Sequence, residues 1–109
     1  MSIEYKERLA RTGDVNPEAI SVRVSAARKA AGLQQNKLAA ELGMKATTLN
    51  SQEKRGAPSI QLMRYFYRMH RIDFNFLLHG DFAQLPSDVQ EKLFSALSAA
   101  NNAQDQTAD

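Results

Sequence analysis

Hydrophobic residues recur along most of this chain at the spacings of three and four that place them on one face of a helix. The first such stretch opens with Asn16-Pro17, a typical helix start, and ends at Gly32. The same pattern, bounded by capping and stop residues, predicts helices at 17–31, 35–42, 45–54, 60–71, 74–79 and 87–100. The sequence has almost no alternating, strand-like runs, so we predict an all-α fold.

The stretch 45–54 differs from its neighbours because it is polar almost all round. Leu49 is its one clear core residue, and the sequence KATTLNSQEK otherwise offers mainly hydroxyl, amide and charged side chains. A helix of this kind has little hydrophobic surface with which to pack. We therefore expect most of it to face something other than the core. Short polar side chains and a lysine suit the major groove of DNA, where they reach base edges.

Composition excludes several classes of function. The 109-residue chain contains no cysteine, and its two histidines, His70 and His79, cannot form a conventional zinc site alone. No apolar run reaches the length of about 20 residues that spans a bilayer, and the N-terminus has no hydrophobic signal segment. We expect a cytoplasmic protein with no membrane contact, no enzymatic activity, no catalytic residue and no metal or other cofactor.

Charge is distributed unevenly along the chain, although the net charge is only +2. Residues 15–72 contain ten basic and three acidic residues, whereas residues 73–109 contain one basic and six acidic residues. A basic region suits a polyanionic partner, and an acidic segment is repelled by phosphate. The sequence thus indicates a region that faces nucleic acid, followed by a segment with another role.

A set of residues between 20 and 80 matches a known pattern in order and spacing, without a gap in the first three helices of the region. These residues are Ile20, Val24, Arg28, Gly32-Leu33, Gln35, Leu38-Ala39, Leu42-Gly43, Leu49, Glu53, Pro58-Ser59-Ile60, Phe76-Leu77-Leu78 and Gly80. The region resembles the Cro/lambda-repressor-type helix-turn-helix family, also called the Xre family. The resemblance implies a five-helix lambda-repressor-like DNA-binding domain with an additional C-terminal helix.

The same resemblance predicts how the chain is organised. Residues 1–15 are expected to form an N-terminal arm and residues 16–80 the helix-turn-helix DNA-binding domain. A connector and C-terminal helix follow at 81–101, and the polar residues 102–109 are expected to form a disordered tail.

Individual residues also receive roles from the resemblance. The base-contacting positions are Lys45, Ala46, Thr47, Asn50 and Ser51. Asn50 would pair with adenine, Lys45 with guanine or phosphate, and the Thr47 methyl or hydroxyl with thymine or a backbone oxygen. The phosphate-contacting positions are Gln35, at a helix N-terminus, and Lys54 and Arg55 after the reading helix.

Other positions concern the architecture of the domain. Arg28 and Glu53 are implied to form a structural ion pair that joins the first and third of its helices. Ala46 replaces a longer base-reading side chain, and Gln52 replaces a large apolar residue, which predicts weaker anchoring of the reading helix. Arg71 stands where glycine is usual, so it must adopt that turn at a steric cost or form a different turn.

The predicted last helix carries an apolar stripe that the family's core does not need. We assign dimerisation to this stripe, whose members are Val89, Leu93, Phe94 and Leu97. A two-fold operator requires two reading helices about 34 Å apart, and hence a homodimer. Two alternatives stay open: this helix folds back on its own domain, or the dimer contact involves the preceding short helix and Phe74.

Three functional hypotheses follow from these observations. The leading one is a sequence-specific transcriptional regulator of bacterial or bacteriophage type, a repressor that binds a palindromic DNA operator as a homodimer. The second is an antitoxin that binds both operator and toxin, which an adjacent toxin gene would indicate. The third is an interaction adaptor or antirepressor that kept the fold but lost DNA binding, and Ala46 and Gln52 favour it. Binding to double-stranded DNA separates the third hypothesis from the first two.

Overall fold

The computed structural model describes residues 1–107, with side-chain environments up to Ala103. Seven α-helices and no strands occur within this part of the chain, which confirms the all-α class. They are α1 Ile3–Ala10, α2 Pro17–Ala30, α3 Gln35–Leu42, α4 Ala46–Arg55, α5 Ile60–His70, α6 Phe74–His79 and α7 Ser87–Thr107. None of these helices is both long and apolar enough to cross a membrane.

Side-chain caps determine where four of the helices begin. Asn16, Ser59 and Asp73 each accept a backbone N–H from the first turn of α2, α5 and α6, at distances between 2.9 and 3.1 Å. Ser2 does the same for α1 at 3.1 Å. These N–H groups have no acceptor within their own helices, so each cap satisfies a donor that is otherwise free. The starts of these helices therefore follow from local sequence.

The N-terminal segment is helical, which corrects the expectation of an arm at residues 1–15. α1 packs against α7 and α2, buries Leu9 and Ala10, and places Tyr5 against the same core. Five charged residues among the first eleven obscure the helical spacing of four between Tyr5 and Leu9. Because this segment contributes to the core, the structure has one more helix than the sequence predicts.

A fully buried arginine attaches α1 to α2. Arg23 is 0% exposed, and its side chain donates hydrogen bonds to the backbone oxygens of Ala10 (2.7 Å), Arg11 and Asp14 (2.6 Å). Carbonyls at the end of a helix lack an intrahelical donor, and the guanidinium supplies one. Burial lowers the pKa of Arg23, while the nearby Asp14 carboxylate opposes this shift. Arg23 is one of the ten basic residues of the region 15–72, yet it contributes nothing to the surface of that region.

α7 folds back onto its own domain and lies along α2 and α1. The four residues assigned to dimerisation belong to the core of the single chain: Val89 is 5% exposed, Leu93 0%, Phe94 3% and Leu97 2%. The assignment is wrong because α1 and α2 supply the apolar surface that covers the stripe.

The last helix is also longer than expected, since α7 continues to Thr107. This length contradicts the predicted disordered tail over residues 102–107. The remaining two positions of that prediction, 108–109, lie outside the described residues.

Arg71 adopts the turn that suits glycine, which is the first of the two alternatives expected from the sequence. Its φ of 57° lies in the left-handed region and ends α5. This conformation costs a residue with a Cβ about 1–2 kcal/mol. The Arg71 guanidinium also pairs with Asp88 at the start of α7, with 2.6 Å between Nη2 and Oδ2, and its hydrogen bond lowers the pKa of that carboxyl. Arg71 therefore links the end of α5 to α7.

Candidate nucleic-acid interface

α3 and α4 form a pair joined by a short turn at residues 43–45. Gly43 has a left-handed φ of 66° and ends α3. Leu38 and Ala39 from α3 and Leu49 from α4 are at most 1% exposed, so each helix turns one face into the core. The ranges of both helices agree within one residue with the predictions 35–42 and 45–54.

Only two side chains of α4 are buried. Leu49 is 0% exposed and Glu53 is 6% exposed, and their spacing of four places both on one face of the helix. The opposite face of α4 is accessible to solvent, as the polar sequence of this helix predicts. Its exposed side chains are Ala46, Thr47, Thr48, Lys54 and Arg55, with Asn50, Ser51 and Gln52 half-buried beside them.

The predicted ion pair between Arg28 and Glu53 is present and holds the end of α4 against α2. Nε of Arg28 donates to Oε2 of Glu53 at 2.9 Å, and Nη2 donates to Oε1 at 3.0 Å. Two parallel hydrogen bonds of this kind fix orientation as well as distance. Nη1 donates to the Leu33 oxygen at 3.0 Å, which completes the environment of the guanidinium. The side chains are only 15% and 7% exposed, so water and salt screen the pair less than a surface pair.

Gln52 anchors α4, contrary to the expectation that it weakens the attachment of this helix. Its Oε1 accepts the backbone N–H of Ser59 at 2.9 Å and so connects α4 to the start of α5. A hydrogen bond thus takes the place of apolar packing at this position. Gly56, which ends α4, lies so close to α2 that a Cβ there would collide with the Pro17 carbonyl. The C-terminal end of α4 is therefore held against both α2 and α5.

Gln35 and Asn50, assigned to phosphate and to adenine, contact each other. Nε2 of Gln35 donates to Oδ1 of Asn50 at 3.0 Å, between α3 and α4. Bidentate pairing with adenine needs both the oxygen and the nitrogen of the asparagine amide. The bond to Gln35 occupies one of the two lone pairs of Oδ1, so the Asn50 amide can still accept one hydrogen bond there and donate from Nδ2.

α3 and α4 begin without a side-chain cap, in contrast to α1, α2, α5 and α6. Gln34 and Lys45 occupy the cap positions and make no capping hydrogen bond. The first-turn N–H groups of a helix carry partial positive charge and suit phosphate oxygens. Lys45 adds a full positive charge at the start of α4.

Basic side chains lie at both ends of α4. Lys45 precedes the helix, Lys54 and Arg55 are its last residues, and all three are exposed. Over residues 15–72, eight exposed basic side chains face solvent against two exposed acidic ones, Glu18 and Glu41. The surface formed by residues 15–72 is therefore positively charged, although two of the ten basic residues of this region, Arg23 and Arg28, are largely internal.

The sequence-based assignment missed Thr48 on this surface and misjudged the role of Gln52. Thr48 is exposed on α4 beside Thr47, and its helical spacing from Gln52 and Arg55 could have identified it. The contact between Gln52 and Ser59 crosses a loop, so periodicity could not have identified it.

The histidines do not suggest another kind of site. His70 is half-buried at the end of α5, and His79, at the end of α6, is exposed and lies 3.1 Å from Asp81. Residues 1–107 bring together no group of three or more histidine and acidic side chains that could hold a metal ion.

Comparisons of this chain with models of protein families, with curated proteins and with solved structures found no match. Its function must therefore be inferred from its own residues and their geometry.

Proposed function

We propose that this chain is a sequence-specific DNA-binding transcriptional regulator of the Cro/lambda-repressor type, a repressor that acts as a homodimer. The observation that carries the proposal is the attachment of α4. Leu49 and the Arg28–Glu53 pair hold one face of this helix, while the opposite face is polar, exposed and flanked by basic side chains. A helix held in this way can enter the major groove of B-DNA, which is about 12 Å wide.

The interface divides into positions that suit phosphates and positions that suit bases. Lys54 and Arg55 at the end of α4, and Gln35 at the uncapped start of α3, are matched to phosphate oxygens. The base-facing positions are Lys45, Ala46, Thr47, Asn50 and Ser51. Phosphate contacts set the affinity and register of the complex, whereas sequence preference comes from contacts with base edges.

A homodimer requires a surface other than the buried stripe of α7. Large apolar side chains remain accessible on α5 and α6: Ile60 is 71% exposed, Tyr67 is 56% exposed, and Phe74 is half-buried. The ring of Tyr67 contacts that of Phe74, with 6.4 Å between centroids, and Ile60 lies two turns before Tyr67 on the same face of α5. We propose that the second copy of the chain binds at these three residues, named here the α5–α6 patch. This assignment develops the alternative dimer contact through Phe74.

Binding to double-stranded DNA tests the proposal. The probe is a labelled duplex from the region immediately upstream of the gene for this chain, competed with a scrambled duplex of equal composition. We expect a preference of about 10³-fold or more for the upstream duplex at physiological salt. No preference over the scrambled duplex would contradict sequence-specific regulation at this site.

A matched pair of double variants locates the binding surface. Lys54→Glu/Arg55→Glu should abolish binding, because it reverses the charge at the end of α4. Lys29→Glu/Lys92→Glu changes the net charge equally at a groove between α2 and α7, and should leave most of the affinity intact. Equal weakening by the two double variants would show that total charge, and not the α4 surface, determines binding.

A further inference from the structure

A charged residue lies between the apolar members of the α5–α6 patch. Arg64 follows Ile60 by four residues and precedes Tyr67 by three, so the three side chains share one face of α5. Arg64 is exposed, and among residues 1–103 no carboxylate oxygen lies within 4 Å of its guanidinium. A second copy that covers Ile60 and Tyr67 therefore also covers Arg64. A guanidinium removed from water without a counter-charge would oppose such an interface.

The same patch contains a pocket whose chemistry suits a cation. The pocket has a volume of about 200 Å³ and is lined by Tyr67, Asp73, Phe74 and Asn75. The rings of Tyr67 and Phe74 meet at 84°, with 6.4 Å between their centroids. The face of an aromatic ring attracts cations, and in proteins the cation is more often a guanidinium than an ammonium. The cation–π contacts within residues 1–103 involve other rings, so these two are available to a partner.

Asp73 gives this pocket a negative charge and a remaining hydrogen-bond acceptor. Its Oδ1 accepts the Phe76 N–H at 2.9 Å and Nε2 of Gln84 at 3.1 Å, and its Oδ2 accepts the same Gln84 nitrogen at 3.2 Å. An ionised carboxylate has about four acceptor positions, so one remains on Oδ2. The exposed Asn75 adds a carboxamide oxygen. A planar guanidinium can therefore stack on a ring of the pocket and donate to Oδ2 at the same time.

Two-fold symmetry brings the cation of one copy to the pocket of the other. In a two-fold dimer, a contact between one residue of the first copy and a different residue of the second occurs twice. We propose that Arg64 of each copy enters the pocket of the other, stacks on the ring of Tyr67 or Phe74 and donates a hydrogen bond to Asp73. Both guanidiniums then have a counter-charge when the apolar side chains are covered. This inference rests on the homodimer of the proposed function and names the polar contact that joins the two copies.

Sedimentation equilibrium of single variants of the full chain measures the two sides of this contact. Arg64→Gln removes the cation, and Asp73→Asn removes the negative charge but keeps an oxygen that can cap α6. Each variant alters both contacts of its homodimer, and each contact is worth about tenfold, so the dimer Kd should rise about 100-fold. Arg68→Gln is the matched control, because Arg68 is also exposed but lies about 80–100° around α5 from Ile60 and Tyr67. It should leave the dimer Kd nearly unchanged.

A mixture of the two variants shows whether the contact joins different copies. In a heterodimer of Arg64→Gln with Asp73→Asn, the intact Arg64 of one copy meets the intact Asp73 of the other at one of the two contacts. The Kd of this heterodimer, measured with one variant fluorescently labelled, should be about tenfold lower than that of either variant homodimer. Side chains that act only within their own copy would give no such gain.

The outcomes distinguish this inference from the proposed function. Unchanged dimerisation in Arg64→Gln or Asp73→Asn, together with its loss in Tyr67→Asp, would overturn the inference and leave the homodimer through the α5–α6 patch intact. Weaker dimerisation in both variants without a gain on mixing would overturn the inference as well. If the unmodified chain is monomeric both free and on its preferred duplex, the homodimer of the proposed function fails, and the inference fails with it.

Discussion

The Arg28–Glu53 pair is the polar link that holds α4 against α2, so its loss should be felt in the stability of the fold. Arg28→Ala leaves a nearly buried carboxylate without its counter-charge, and Glu53→Ala leaves the guanidinium unpaired. Each substitution should lower the free energy of unfolding by about 2–3 kcal/mol, less than for a fully desolvated pair. The double variant should lose little more than either single one, with a coupling energy of about 2–3 kcal/mol in urea denaturation.

The exposed pair Arg71–Asp88 is the matched control for this cycle. Its side chains are 60% and 55% exposed, so solvent screens their attraction. The corresponding cycle should therefore show a much smaller coupling than that of Arg28 and Glu53. Additive losses at Arg28 and Glu53 would show that the two side chains do not meet in solution.

His70 should make stability depend on pH. Its Nε2 atom is buried and has no hydrogen-bond partner among the described residues. Burial first, and then the Lys92 ammonium, lower the pKa of His70 from its ordinary value of 6.5, while Glu41 opposes them. The unfolded chain then binds a proton at a higher pH than the folded chain does. Stability should therefore decrease as the pH falls from about 6.5 towards the pKa of the folded state, and should be unaffected by this group above that window.

Thermal unfolding across this pH range measures the effect of His70. His70→Gln cannot titrate, so the part of the decrease that belongs to this side chain should disappear in the variant. His79→Gln changes the exposed histidine of α6 and should retain it. An identical pH dependence in His70→Gln and the unmodified chain would contradict the prediction.

Two arginines of α2 show what could be predicted at the scale of residues. Arg28 was paired with Glu53 from the family resemblance, and complementary charges at matching positions made the pair recognisable. Arg23 binds backbone oxygens, which every residue has, so no partner in the sequence marks it as buried. The Arg28–Glu53 pair therefore left a signal in the sequence, whereas the long-range contacts of Arg23 with the backbone left none.

At the scale of elements, the starts of the predicted helices could be predicted, whereas the end of α7 and the packing partners could not. All six predicted helices begin within one residue of the predicted start. Side-chain caps act within a single turn at α2, α5 and α6, and the stop glycines Gly32 and Gly43 precede α3 and α4, which have no such cap. The stripe of α7 was recognised but assigned to the wrong partner. Periodicity shows that a face must be covered, and does not show which surface covers it. The covering helix α1 was itself missed among charged residues.

The docking of α1 should depend on Gly80. Gly80 and Gly32 both have a left-handed φ, of 81° and 74°, so alanine costs about 1–2 kcal/mol in backbone strain at either position. At Gly80 an added Cβ would also lie 2.8 Å from the Ala10 oxygen and 2.9 Å from Nε of Arg23. At Gly32 it would meet nothing within 4 Å.

Gly80→Ala should therefore destabilise the chain clearly more than Gly32→Ala does. The additional loss should be concentrated in α1, whose amides should exchange hydrogen faster in Gly80→Ala alone. Equal losses of stability in the two variants, with α1 equally protected, would show that the close approach at Gly80 is unimportant.

At the scale of the whole molecule, the position of α7 changes the expected nature of the dimer. If the apolar stripe of α7 were exposed to solvent, its burial would favour association of two chains, but α1 and α2 already cover it. The single chain thus has a covered core, and a dimer through the α5–α6 patch should be weak in solution and favoured on DNA. Tyr67→Asp should reduce dimerisation and operator affinity while leaving monomer stability nearly unchanged.

Sedimentation with and without DNA, together with urea denaturation, distinguishes this arrangement from a dimer through α7. Leu93 is fully buried, so Leu93→Asp places a carboxylate in the core and should unfold the chain. A folded, monomeric Leu93→Asp protein would restore α7 as the dimer contact. Unchanged dimerisation in Tyr67→Asp would remove the α5–α6 patch from that role.

The salt dependence of DNA binding tests the dimer on DNA, because the slope of log K against log salt depends on the number of phosphates that both copies neutralise. Each copy offers Lys54 and Arg55 to phosphates and Lys45 to guanine or phosphate, so a dimer would neutralise about four to six phosphates and give a slope of log K against log salt of about −4 to −5. Lys54→Ala removes one contact from each copy and should make the slope shallower by about 2. Lys29→Ala, in the groove between α2 and α7, should leave the slope unchanged. A slope shallower than about −2 for the unmodified chain on its preferred duplex cannot be reconciled with two copies gripping the DNA backbone in this way.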